Sequence, residues 1–213
     1  MSAAPTTAKL LAQLERRNQL DAFEAAKLLS HRNGAKLIAN LARVMRSGDQ
    51  AYSREAAAYA LSWGKDRKAA EALLTCATDS GEQDSVRAQA VEGLANHFDL
   101  APRKTKLQLK AEELMLLMLD SPSATLRFWA CFGLGSLRCQ KAIPRLRKIA
   151  REDTSVYPGW WYVSEEAEDA LERIAGRTTE SRTPVHLRKA TNPGAVQADK
   201  SKTPKPKSKR KEP

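Results

Sequence analysis

Residues 127–149, R-F-W-A-C-F-G-L-G-S-L-R-C-Q-K-A-I-P-R-L-R-K-I, decide how this chain folds. Arg127, Ala130 and Leu134 stand three and seven residues apart, the spacing of one helical face. A break follows at Arg138–Gln140. A second helix starts near Ala142, with Pro144 in its first turn and Ile143, Leu146 and Ile149 on one side. Neither helix has enough apolar surface to stand alone, so each needs neighbours of the same kind.

Those neighbours are in the chain. Arg54, Ala57 and Leu61 repeat the register, as do Arg87, Ala90 and Leu94. Ala22, Ala25 and Leu29, and Ser164, Ala167 and Leu171, keep the apolar positions without the arginine. Successive copies are 32, 33, 40 and 37 residues apart. Self-similarity at this period signals a solenoid of stacked helix pairs. Six residues after the register start stand Leu28, Ala60, Gly93, Gly133 and Ala170, four of them small. Gly costs a helix about 1 kcal/mol relative to Ala, so close helix packing is the expected compensation.

Each copy is followed by a second helix, read as Ala35–Arg46, Arg67–Thr78, Lys106–Leu119 and Ala142–Glu152. Turn residues divide them: Asn33-Gly34, Ser47-Gly48-Asp49, Gly64, Ser80-Gly81 and Ser121-Pro122. Phe98 to Lys104, with Pro102, lengthens the third loop. Ahead of the repeats, residues 6–17 read as an amphipathic helix with Thr6 or Thr7 as N-cap, covering the open end of the stack. The expected organisation is a capping helix in 1–19, a repeat domain in 20–176 and a tail in 177–213. The fold class is all-α, a right-handed α-α superhelix of about five helix pairs.

Composition agrees. Apolar residues make up 42% and charged residues 29%, and helix formers dominate. No apolar run reaches the roughly 20 residues that cross a bilayer, and the N-terminus lacks a secretion signal, so a cytoplasmic protein is expected. Cys76, Cys131 and Cys139 lack metal-ligand spacing and read as reduced, mostly buried thiols. The charge is uneven. Residues 177–213 hold 11 Lys+Arg against 3 Asp+Glu, whereas residues 1–176 hold 25 against 22. That tail, rich in Lys, Pro, Ser and Thr, reads as disordered.

The arrangement R-x-x-A-x-x-x-L, a short break, then A-I-P-x-L, resembles the HEAT repeat, and is similar to the HEAT-like repeats of phycobilisome lyase subunits. The resemblance covers about residues 20–176 and implies a fold rather than a chemistry. It further implies that the repeat arginines pair with acids of the preceding turns, offering Asp49 to Arg54, Asp84 to Arg87 and Asp120 to Arg127. HEAT-like folds include an iron hydroxylase that holds its metal with His-Glu pairs. No histidine here is followed by glutamate, so that activity does not carry over. They also include a DNA glycosylase, but no aspartate here stands in a catalytic motif. A bilin lyase role would need a partner chain.

No catalytic constellation, metal or cofactor site is visible in the residues: His31, His97 and His186 lie apart, and H-x-E, HExxH and CxxC are absent. Binding features are visible. Fourteen residues after the register start stand Lys36, Lys68 and Lys141; Arg43 and Lys148 follow at +21, and Arg46 and Arg151 at +24. With Arg145 these form a basic band or an ordinary solvated face, expected on the concave side, which second helices usually line in such solenoids. Tyr157, Trp160, Trp161 and Tyr162 form an aromatic patch, either a cap on the last pair or a platform for a ligand. Lys205, Lys207, Lys209, Arg210 and Lys211 supply electrostatic attraction from the tail, or simply solubilise it. The reading is a non-enzymatic scaffold for a protein partner, with nucleic-acid binding as the alternative.

Overall fold

The computed structural model describes residues 4–16, 18–64, 66–99 and 105–188. Among them are ten α-helices: α1 (Thr7–Leu14), α2 (Gln19–Ser30), α3 (Ala35–Ser47), α4 (Ala51–Ser62), α5 (Arg67–Thr78), α6 (Asp84–Phe98), α7 (Lys106–Met118), α8 (Ala124–Ser136), α9 (Ile143–Glu152) and α10 (Val163–Ile174). The only β pairing among the described residues is a bridge between Val156 and Tyr162. The chain is an all-helical solenoid, as its register predicts.

Helix starts follow local chemistry. Side chains of Thr6, Asn18, Asp66 and Thr105 accept hydrogen bonds from the first-turn N–H groups of α1, α2, α5 and α7. The helix expected from Ala142 begins one residue later. A 3-10 turn, Gln140–Ala142, comes first, after Arg138 turns the chain at φ 50°. Pro144 then sits in the first turn of α9, where no N–H is needed.

The helices form two unlike layers. α2, α4, α6, α8 and α10 stack directly on one another and bury most of their surface; α3, α5, α7 and α9 cover them, with α1 leading against α2. The small column explains the tight layer. A Cβ on Gly93 would meet Ser62 Oγ of α4 at 2.5 Å, within that layer, whereas one on Gly133 would meet Met115 Sδ of α7 at 2.7 Å, so that glycine admits a second helix. At Gly135 the obstacle is backbone rather than side chain, since its Cβ would lie 2.7 Å from Ala170 Cα of α10. The second helices have no such column. Grooves separate them, one between α5 and α7 lined by Leu74, Thr78, Lys110 and Leu117, another beside α9 lined by Asp120, Lys148 and Glu152. A stack that is close in one layer and open in the other bends toward the close one. The pKa of Tyr157, beyond α9, is raised mainly by burial and slightly by the charges of Glu55 on α4 and Glu92 on α6. We read the closely packed first helices as the concave side and the more open second helices as the outer side, where the expectation above had the second helices inside.

The repeat arginines clasp neighbouring repeats. Arg54 donates to the Gly48 carbonyl at 2.8 Å and forks onto Glu82 at 2.7 and 2.8 Å. Arg127 donates to the Ser121 carbonyl at 2.7 Å, forks onto Asp153 at 2.7 and 3.3 Å, and reaches Ser155. Burial opposes ionisation of Glu82 and Asp153, but the guanidiniums and nearby N–H groups outweigh it and hold both carboxyls below the usual range. Only Arg87 meets the acid expected for it, Asp84 at 3.4 Å. For the other two the preceding turn supplies a carbonyl instead, and the acid comes from the following turn. Each such arginine thus ties two inter-repeat turns together.

The tail also begins later than its composition suggests. Arg182 forks onto Asp169 at 2.8 Å and reaches Glu168 at 3.0 Å, and Arg188 forks onto Glu165 at 2.8 and 2.9 Å. These pairs fasten residues 177–188 along α10. Composition cannot show this, because the partner carboxylates are presented by another element. Lys205, Lys207, Lys209, Arg210 and Lys211 lie outside the described residues.

Candidate functional site

The basic band lies on the outer layer and is partly neutralised. Lys36 and Lys68 are the second residues of α3 and α5, and Lys141 lies in the turn before α9; all are exposed. The row is broken at the third pair, where half-buried Leu107 occupies the same place in α7. Arg43 forks onto Glu15 of the capping helix at 3.2 and 3.3 Å. Arg145 donates to the Leu116 carbonyl at 2.8 Å and faces Asp120 at 3.6 Å, and Arg151 faces Glu152 at 3.8 Å. Three of the named arginines therefore serve their neighbours. Lys36, Lys68, Lys141 and Lys148 have no acid within ion-pair distance among the described residues.

The concave face has a different chemistry. Positions five residues after the register start carry Lys27, Tyr59, Glu92, Phe132 and Asp169, one on each first helix. They adjoin the small column, so the backbones stay close while larger side chains open toward the concavity. Near the N-terminal end Phe23, Tyr59 and Trp63 form a ring chain with centroids 6.3 and 6.1 Å apart. Toward the C-terminal end Tyr157 lies 4.9 Å from Phe128 and 6.0 Å from Trp129, and Trp160 lies 5.9 Å from Trp129. The predicted patch thus divides. Tyr157, Trp160 and Trp161 cover α8 through Phe128, whereas Tyr162 opens α10, its N–H donating to Glu165 at 3.1 Å.

Between the two ring groups lie Glu55 and Glu92. Both are half-buried, and burial pushes both carboxyls above the usual range. Ser85 gives Glu55 one hydrogen bond, and Gln89 gives Glu92 one at 2.6 Å. Tyr157 is hydrogen-bonded by the Trp129 side chain; burial raises its hydroxyl, and Glu55 and Glu92 raise it further. No Lys or Arg lies within ion-pair distance of either glutamate among the described residues.

Elsewhere the chain completes this kind of arrangement with a cation. Arg173 lies 5.1 Å over the Phe132 ring and donates to Glu166 at 2.8 Å. Arg188 lies 5.9 Å over the Tyr162 ring and donates to Glu165. Ring, carboxylate and guanidinium form a set in both places. Glu55 and Glu92 have no such guanidinium among the described residues.

Nucleophilic chemistry has no foothold at the cysteines. Cys131 and Cys139 are buried, and burial drives the Cys76 thiol up to about 12 and raises Cys131 likewise. No helix among the described residues is long and apolar enough to cross a membrane.

The comparisons define the class. Residues 7–95 match the sequence family of HEAT repeats. An engineered protein known from a crystal structure is similar at 20% identity and a TM-score of 0.51, covering 81% of this chain and 80% of its own. At that identity the likeness establishes the fold alone. No curated protein matches. The described residues form an all-helical repeat solenoid whose residues 7–95 match HEAT repeats, an architecture that commonly mediates protein interactions.

Proposed function

We propose that the chain is a non-enzymatic scaffold that binds a protein partner on its concave face, and that the partner presents a cationic segment. The observation that carries this is the pair Glu55 and Glu92: two half-buried carboxylates, both felt by Tyr157, with no Lys or Arg within ion-pair distance among the described residues. A lysine or arginine from a partner would repeat what Arg173 and Arg188 do within the chain. The exposed lysines of the outer layer remain available for a second contact, to an acidic protein or to a phosphate backbone.

Titrating an arginine- and lysine-rich peptide into the full-length protein and following tryptophan emission tests this. The peptide is expected to bind, with an affinity that falls with salt, and Glu55→Gln/Glu92→Gln is expected to abolish the change while helicity is kept. Binding that survives this double substitution would remove the proposal. The outer row is tested by reversing Lys36, Lys68, Lys141 and Lys148 to glutamate. Loss of nucleic-acid binding through that change alone would establish the second contact.

A further inference from the structure

We propose that the groove between α5 and α7 is a second interaction surface, and that its occupant is an amphipathic helix of a partner protein. That helix lies antiparallel to α5 and α7 and carries acidic residues in its last turn. Glu55 and Glu92 take no part in this contact.

Three observations converge. The first is space. The groove has a volume of about 620 Å³, against about 190 Å³ for the corresponding space between α3 and α5. Both walls are seated from below. Leu73 of α5 lies 2.9 Å from where a Cβ of Gly93 would stand, and Met115 of α7 lies 2.7 Å from that of Gly133. Those glycines belong to the copies 40 residues apart, the widest spacing in the chain. Fixed walls lower the ordering cost of a ligand. The second is apolar surface. Leu74 of α5 and Leu114 of α7 are half-buried along the groove, and Leu117 beside them is 69% exposed. α5 has 12 residues, a length of about 18 Å, so the groove takes about three helical turns. Leucines at i, i+3, i+4 and i+7 of such a helix meet the three. The third is charge. Beyond Lys110 the groove continues into a hollow lined by Arg67, Glu71, Lys106 and Lys110, near the starts of both helices. α5 and α7 thus run in the same direction, and their positive dipole ends stand together. Arg67 pairs with Glu71 at 2.9 Å, whereas Lys106 and Lys110 have no acid within ion-pair distance among the described residues. At the other end stand Asp79 and Glu113, both exposed. The groove is positive at one end, apolar between and negative at the other. An antiparallel helix sets its negative dipole end and last-turn carboxylates against Lys106 and Lys110. A nucleic acid, negative along its whole length, does not match the Asp79 end.

The probe is a hydrocarbon-stapled helix of about twelve residues, since an unstapled peptide of that length is marginally helical in water. It carries leucine at i, i+3, i+4 and i+7, lysine in its first turn and glutamate in its last. A control helix has the two charged turns exchanged, so that attraction to other charged surfaces is common to both. In fluorescence anisotropy with the full-length protein, the probe should bind about tenfold more tightly than the control. Lys106→Glu/Lys110→Glu should reverse that order. Leu117→Lys should weaken the probe about tenfold at unchanged melting temperature, because Leu117 is exposed. Glu55→Gln/Glu92→Gln should leave probe binding unchanged, which separates this surface from the one proposed above. Equal affinity for the two helices, an order that survives the lysine reversal, binding indifferent to Leu117→Lys, or binding lost in Glu55→Gln/Glu92→Gln would each overturn the proposal. So would a parent protein whose size-exclusion mass falls on Leu117→Lys without probe, since a second copy of the chain would then be the occupant.

Discussion

Asp153 and Glu55 are both half-buried carboxylates of the same stack, and they are treated in opposite ways. Asp153, in a turn between repeats, receives the fork of Arg127 and hydrogen bonds from Ser155, and its carboxyl is held low. Glu55, on the concave face, receives one hydrogen bond from Ser85, and its carboxyl is pushed high. The same contrast separates Glu82, clasped by Arg54, from Glu92, bonded to Gln89 alone. Where charge joins repeats, the molecule closes the pair. At Glu55 and Glu92 no cation closes the pair among the described residues, and an open pair is available to something else.

The largest expected effect breaks the closed side. Arg127→Met strands Asp153 and frees the Ser121 carbonyl, and should cost about 3 kcal/mol in urea denaturation. Arg127→Lys should recover only part of that, because an ammonium cannot fork. Next comes the contact between layers of backbone. Gly135→Ala should cost about 2 kcal/mol although alanine is the better helix former, since its methyl meets the α10 backbone rather than a movable side chain. Equal or greater stability in this variant would show that the first helices are not held at closest approach.

The open side should respond with the opposite sign. A carboxyl whose folded pKa lies above its unfolded one favours folding when protonated and opposes it when ionised. Glu55→Gln/Glu92→Gln should therefore stabilise the protein at neutral pH, by about 1 kcal/mol. The gain should shrink as pH falls through the raised folded values. Asp153 and Glu82 work the other way. Their stabilisation is full above the ordinary carboxyl range and is lost as pH falls toward their lowered folded values, so Arg127→Met should lose its cost in acid. Thermal melts of both variants across pH 3–8 check the two signs against each other. The smallest effect is Arg43→Met, below about 0.5 kcal/mol, because its pairing with Glu15 is exposed.

The architecture was legible because periodicity is a local signal. The spacing of Arg54, Arg87 and Arg127 and the column of Gly93 and Gly133 place the helices and their close contacts without knowledge of a third dimension. The partners of those arginines were less legible, since Glu82 and Asp153 belong to the following turn and only stacking brings them within reach. The curvature was hidden as well. It depends on the difference between two layers, which reading the second helices of Lys36, Lys68 and Lys141 by themselves cannot supply. The concave residues left a trace. The +5 column of Tyr59, Glu92 and Phe132 stands one residue before the small column, and large side chains in that place mark the face that backbone contact leaves open. Tyr157 and Trp160 were visible as a patch, but their packing on Phe128 and Trp129 depends on stacking.

Hydrogen exchange of the full-length protein with and without a lysine- and arginine-rich peptide tests the central claim most directly, because it reports which layer is covered. Added peptide should slow exchange in α4, α6, α8 and the 154–163 segment, leave α3, α5 and α9 unchanged, and alter none of these in Glu55→Gln/Glu92→Gln. Protection confined to α3, α5 and α9, or protection of the concave helices that persists in the double variant, would contradict it.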